Sequence, residues 1–155
     1  MLALTKKVGY GLIALTHLAR QPREQLASAR SIAEEFGVPA SLLMNILKEL
    51  SSAGYVDSVR GARGGYRLSR DPESVTLAEL IGTLEGPIRV AECITAPSGS
   101  QPKAECALSG SCPIMGPVQM VQDRIYNVMS GLTLADVATE SADAWQPALA
   151  TANQG

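Results

Sequence analysis

Apolar residues at Leu4, Val8, Leu12, Leu15 and Ala19 mark one face of a helix over residues 5–19. Thr5 suits its N-cap, because a hydroxyl there can accept from a free first-turn amide, and Pro22 stops the helix soon after its end. A second helix is predicted over Ser28–Phe36, with Gly37 free to take the left-handed conformation that closes it. A third begins near Pro39 and buries Leu43, Ile46, Leu47 and Leu50, spaced i, i+3, i+4, i+7, before Gly54 ends it. The period then shortens. Tyr55–Arg60 and Tyr66–Ser69 read as two strands, Gly61–Gly65 as the hairpin loop between them, and Asp71-Pro72 closes the unit.

Residues 76–86, TLAELIGTLEG, predict a short helix that Gly86-Pro87 terminates. Residues 87–112 have no period and exceed an ordinary connection, which marks either function or disorder. A long helix follows over Ile114–Ser130, with Met115, Val118, Val121, Ile125 and Val128 at helical spacing. A short one closes at Thr133–Thr139. TLAEL at 76–80 returns as TLADV at 133–137; two five-residue matches are not an internal repeat, and both read as Thr-capped helix starts. The expected architecture is mainly α with a small β wing. Residues 1–86 form a winged helix–turn–helix domain, 87–140 a cysteine loop, long helix and closing helix, and 141–155 a disordered tail.

Composition changes this picture at one point. The 155 residues are 46% apolar with one Phe and one Trp, so the core rests on aliphatic side chains. No apolar run is long enough to span a membrane and the N-terminus does not read as a signal peptide, so the expected location is the cytoplasm, with no membrane partner. The net charge of -2 hides a split: residues 1–70 hold ten Lys/Arg against five acids, and residues 71–155 hold three against ten. A cationic half beside an acidic one points to a polyanion partner.

In helix–turn–helix order the third helix is the recognition helix, sized to enter a DNA major groove about 12 Å wide. Ser41, Leu42 and Asn45 lie opposite its apolar stripe and are the candidates for base edges; Lys48, a turn on, is placed for a phosphate. The hairpin becomes the wing, where glycines allow close approach and Arg60 and Arg63 meet phosphates or a narrow minor groove. Lys6 and Lys7 open the first helix as further backbone contacts. Tyr66 reads as wing packing. No Ser/His/Asp set, phosphate loop or acid–base pair is present, which argues against an enzyme. A protein-docking module or iron–sulfur carrier on the same scaffold stays open, and salt dependence of binding separates it from a DNA binder.

Cys93, Cys106 and Cys112 are spaced Cys-x12-Cys-x5-Cys. Paired Cys-x-x-Cys knuckles are absent, and the options are an iron–sulfur cluster, zinc, a thiol–disulfide switch or structural thiols. For a fourth ligand, Met115, His17, Glu92, Glu105 or a residue from a second subunit are open.

Residues 1–138 resemble the iron–sulfur-dependent winged-helix transcription regulators, the group containing IscR, NsrR and RsrR. The resemblance rests on LTKKVGYGLIAL at 4–15, SIAEEFGVPASLLMNILKELSSAGYVDSVRGARGGYRLSRD at 31–71, the TLAELI helix, and the three cysteines before a long helix. It implies a homodimer crossed by the long helices, and a palindromic double-stranded DNA operator read by Ser41, Leu42, Asn45 and the wing arginines. It also implies a [2Fe–2S] or [4Fe–4S] cluster on Cys93, Cys106 and Cys112, so that redox state, nitric oxide or iron–sulfur status sets operator binding, as in a repressor. This chain departs from the pattern. The twelve-residue gap is longer than in the best-known members. Met115 stands where some carry a histidine, and Gly9 where others carry a carboxylate on the partner's first helix.

Overall fold

The computed structural model describes residues 4–139 apart from 98, 100, 103–105 and 109. The expected tail at 141–155 and the ligand candidate Glu105 lie outside the described residues. Helix α1 spans Lys6–Arg20, and Thr5 caps it by accepting from the Val8 amide. Helix α2 (Ala29–Phe36) is capped by Ser28, which accepts from Ser31 N at 3.0 Å, and Gly37 closes it at φ 66°. Helix α3 spans Ala40–Ser52. Strands β1 (Val56–Val59) and β2 (Gly65–Leu68) pair antiparallel, Val56 opposite Leu68 and Val59 opposite Gly65. Then come α4 (Leu77–Glu85), α5 (Met115–Gly131) and α6 (Leu134–Thr139).

Helices α1, α3 and α4 close around Val8, Leu15, Leu43, Ile46, Leu47, Leu50, Leu80 and Leu84, and α2 lays Ile32 and Ala33 on them. Burying one such aliphatic side chain is worth about 1.5–3 kcal/mol. The buried face of α1 is rotated from the predicted one. Gly11, Ala14 and Leu18 join Val8 and Leu15, while Leu4 is exposed and Leu12 only part-buried. Gly11 explains the rotation. A Cβ there would lie 2.7 Å from Leu84 Cδ1, so bare backbone lets α1 close on α4.

The two similar threonine phrases meet in space. Thr76 and Thr133 form an antiparallel bridge, Leu77 N donating to Leu132 O at 2.9 Å and Leu134 N to Val75 O at 2.8 Å. Each threonine hydroxyl accepts from the amide three residues on, and the Glu79 or Asp136 carboxylate accepts back from its threonine's N–H, giving two capping boxes. Leu134 is fully buried and α6 packs on α1, so the last described helix belongs to the same core.

Helix α5 packs on α4 and turns Ile125, Tyr126 and Met129 to the core. The predicted single stripe therefore divides. Val121 and Val128, seven residues apart on α5, stay 47% and 61% exposed; Met120 on the helix and Ile114 and Leu132 at its two caps are exposed as well.

Candidate nucleic-acid interface and thiol loop

Helix α3 sorts its residues cleanly. Leu43, Ile46, Leu47 and Leu50 are buried, and Ser41, Leu42, Asn45 and Lys48 are exposed on the other side. Helical geometry places positions 41, 45 and 48 on one line of the outer face, with Leu42 beside it. The buried stripe fixes the helix's rotation, and so fixes which polar groups face outward.

The wing has a third rung that periodicity missed. Tyr66 N donates to Ala27 O at 2.8 Å and Ala27 N to Tyr66 O at 3.0 Å, so the residues before α2 pair with β2. Tyr66 packs against the core, as a wing-packing residue would. At the tip Gly64 N donates to Gly61 O at 3.0 Å, and a Cβ on Gly64 would fall 2.1 Å from Val59 O. Only glycine fits there, and the turn it permits leaves Arg60 and Arg63 exposed. Among the described residues neither forms an ion pair.

The other cations of the region are committed. Arg67 lies 3.5 Å from both Glu24 and Asp57. Arg70 sits over the Tyr55 ring, 5.2 Å from its centroid, and 3.7 Å from Glu79. These two hold the base of the wing to the body. Lys7, expected on the DNA, instead ties helices together: its Nζ donates to Leu84 O at 2.6 Å and meets Glu49 at 2.9 Å. It opens α1 on the side that faces α3 and α4, which the spacing of the helix did not reveal. Lys6 is exposed.

Cys93, Cys106 and Cys112 are free and half-buried. Among the described residues no three His, Cys, Asp or Glu side chains come together to hold a metal. The donor set fits an iron–sulfur cluster in kind, since thiolates are its usual ligands. To hold one, the loop would have to close further; a metal site commonly forms only as its metal binds. Of the fourth-ligand candidates, His17 is engaged elsewhere. Gln21 donates to its Nε2 at 2.7 Å, its Nδ1 lies 3.5 Å from Glu35, and Phe36 meets its ring edge-on. Glu92 is exposed, and half-buried Met115 begins α5.

The loop is held by polar side chains that the sequence did not flag. Gln122 on α5 is fully buried; its Oε1 accepts from Val90 N at 2.8 Å and its Nε2 donates to Ile88 O at 2.7 Å. Arg89 donates to Ile94 O at 3.1 Å and Gln101 O at 2.6 Å, on the C-terminal side of Cys93. No hydrophobic period signals a glutamine whose partners are backbone groups of an irregular segment.

A core-locked helix with an outward polar line, flanked by a glycine-turned wing carrying free arginines, defines a winged helix–turn–helix protein. The Rrf2 family model, an iron-dependent transcriptional regulator, matches residues 4–140, and the chain belongs to that family. It is 34% identical over 137 residues to an rrf2-like HTH-type transcriptional regulator of Rhodobacter capsulatus, covering 86% of this chain and 91% of that one. Bacillus subtilis NsrR is 29% identical over 140 residues, 90% and 92% of the two chains. Among solved structures, CymR, the global cysteine regulator of B. subtilis, superposes with a TM-score of 0.73 at 30% identity, covering 91% of this chain and 99% of that one. IscR of T. potens gives 0.67 at 29% identity, over 94% and 93%. The protein is a DNA-binding transcription regulator, not an enzyme. Among the described residues no helix is long and apolar enough to cross a membrane.

Proposed function

We propose that the protein is a cytoplasmic homodimeric repressor whose affinity for a palindromic duplex is set by the state of Cys93, Cys106 and Cys112, with an iron–sulfur cluster as the group those thiolates hold. The division of α3 carries the reading: one face locked in the core, the other presenting Ser41, Leu42, Asn45 and Lys48. Lys6, Arg60 and Arg63 complete the contact set, and Lys7 drops out because it is tied to Glu49 and Leu84. Residues 1–86 supply the reader, and residues 87–140 the loop and the helix that pairs two copies. Exposed Val121 and Val128 on α5, with exposed Ile114 and Leu132 at its caps, suit that pairing, since exposed apolar side chains gain by burial. Half-sites one helical turn apart require recognition helices about 34–36 Å apart, so a small shift at α5 changes the fit.

When bound, the cluster supplies a centre that reacts with oxidants and nitric oxide. What this chain contributes is a loop of three thiols next to α5 and bonded to it through Gln122. A second reading, a thiol switch without a cluster, is supported by the likeness to CymR, a cysteine regulator with an oxidised form solved from Staphylococcus aureus.

Protein purified without oxygen decides between them. Visible absorption with matching iron and sulfide, and a mobility shift of the upstream region that changes when the cluster is removed, supports the first reading. Colourless protein whose shift responds to thiol oxidation supports the second. Binding that ignores both metal and Cys→Ala changes removes the sensing role, and failure to prefer any duplex removes the repressor role.

A further inference from the structure

The strongest unassigned feature is a chain of bonds leading from α5 to Cys93. Gln122 is the only polar side chain fully buried among the described residues. Its amide presents a carbonyl and an N–H to Val90 N and Ile88 O, as a neighbouring strand would. Those two groups flank Arg89, so the clamp fixes the backbone from which the guanidinium projects. Arg89 in turn grips Ile94 O, one residue beyond Cys93, and Gln101 O. Gln119, one turn before Gln122 on α5, adds a donation to Thr95 O at 3.4 Å. Beneath the segment lies an open cleft of about 370 Å³, lined by Tyr55, Thr83, Ile88, Ala96, Pro97 and Tyr126. Packing and bonds share its placement: Ile88 joins the main core, while Ile94 and Ala96 are buried outside it.

From this we infer that Gln122 and Arg89 are positioning residues that couple the thiol loop to α5: movement of Cys93 is passed through Arg89 and the 88–90 backbone to Gln122, and so to the helix that sets the spacing of the two readers. The inference rests on the regulatory reading above. A buried amide with both partners on one short segment suits this task. It tolerates no slippage, because a displaced Val90 or Ile88 leaves a buried polar group unmet. An apolar contact in the same place would slide.

The test uses the full chain and the ratio of its DNA affinities in two states: metal-free with reduced thiols, and either reconstituted with ferrous iron and sulfide or thiol-oxidised. In the parent protein the ratio is expected to fall in the usual range for coupled sites, about 5–150-fold. Gln122→Met keeps the volume and removes both bonds; it is expected to bind DNA in one state as the parent does, while the ratio falls to within about twofold of one. A purely structural glutamine would lower stability and leave the ratio alone. Retention of the parental ratio by Gln122→Met overturns the inference. If that variant does not fold, amide exchange at Val90 in the parent decides: exchange that differs between the two states supports the coupling, and identical exchange overturns it. A ratio of one in the parent removes the regulatory reading and this inference with it, whereas a normal parental ratio kept by the variant removes the inference alone.

Discussion

The reader and the thiol loop are held in opposite ways. Residues 28–69 sit on a continuous aliphatic core, and their exposed side chains are aimed by what is buried behind them. Among the described residues of 87–112, Ile88, Ile94 and Ala96 are buried, but only Ile88 belongs to that core. The segment is tied to α5 through Gln122 and back on itself through Arg89, beside an open cleft. Packing is summed over many weak contacts and yields a part that changes little. A few directional bonds can be exchanged together, which suits a part with two arrangements. On the proposed reading, the first holds geometry for recognition and the second leaves room for a signal.

The largest expected effect comes from cutting into the reader's support. Leu47 is fully buried in α3. Leu47→Ala should lower unfolding free energy by about 2–5 kcal/mol, read by urea denaturation. A change confined to DNA affinity, with stability intact, would show that the core does not hold the reader as described. Gly64→Ala acts locally. Its Cβ cannot share space with Val59 O, so the turn must open. DNA affinity should drop by about tenfold, worth 1.4 kcal/mol, while the helical core melts nearly as before. Undisturbed binding would mean that the wing tip is not in contact with the duplex.

Smaller changes sharpen the division within the reader. Arg63→Ala should weaken binding to all sequences alike and reduce the salt slope by about one unit. Asn45→Ala should instead relax preference at one base position, costing about 1–3 kcal/mol there and little elsewhere. Competition assays on a panel of single-base operator variants separate the two. If both substitutions act alike, the assignment of base contact to α3 and phosphate contact to the wing fails.

The same contrast explains what could be read from the chain. Helices α2 and α3 and the hairpin were legible because repeated apolar spacing and turn glycines act on neighbours a few residues away. Thr5, Gly37 and the paired TLAEL and TLADV starts belong to the same class. What was not legible depended on distant partners. Gly11 carries no hydrophobic signal, yet it sets how α1 turns toward α4. Ala27 gives no hint that it will pair with Tyr66. Lys7 looks like an open cation until Glu49 and Leu84 O are brought beside it. The α5 stripe reads as one face because sequence cannot say how much of it the molecule's own core claims. Gln122 was least visible, being polar, buried and bonded only to backbone.

The smallest expected effect concerns how α6 is kept on the core. Thr133 donates to Asp136 Oδ2 from both its N–H, at 2.8 Å, and its hydroxyl, at 2.7 Å. These bonds favour the ionised carboxylate, and the Thr133 amide and then its hydroxyl hold the Asp136 pKa below the usual carboxylate value. A carboxyl whose pKa is depressed on folding contributes stability above its unfolded pKa. That contribution is lost as pH falls through the folded value. Asp136→Asn cannot titrate, so it should forfeit a small part of the parent's neutral-pH stability and make the acid limb of the stability curve shallower than the parent's. The side chain is exposed, so the difference is small and best read at low salt. Parallel acid limbs for the two proteins would mean that the carboxylate does not cap α6, and that Leu134 and the Thr76–Thr133 bridge keep the last helix in place without it.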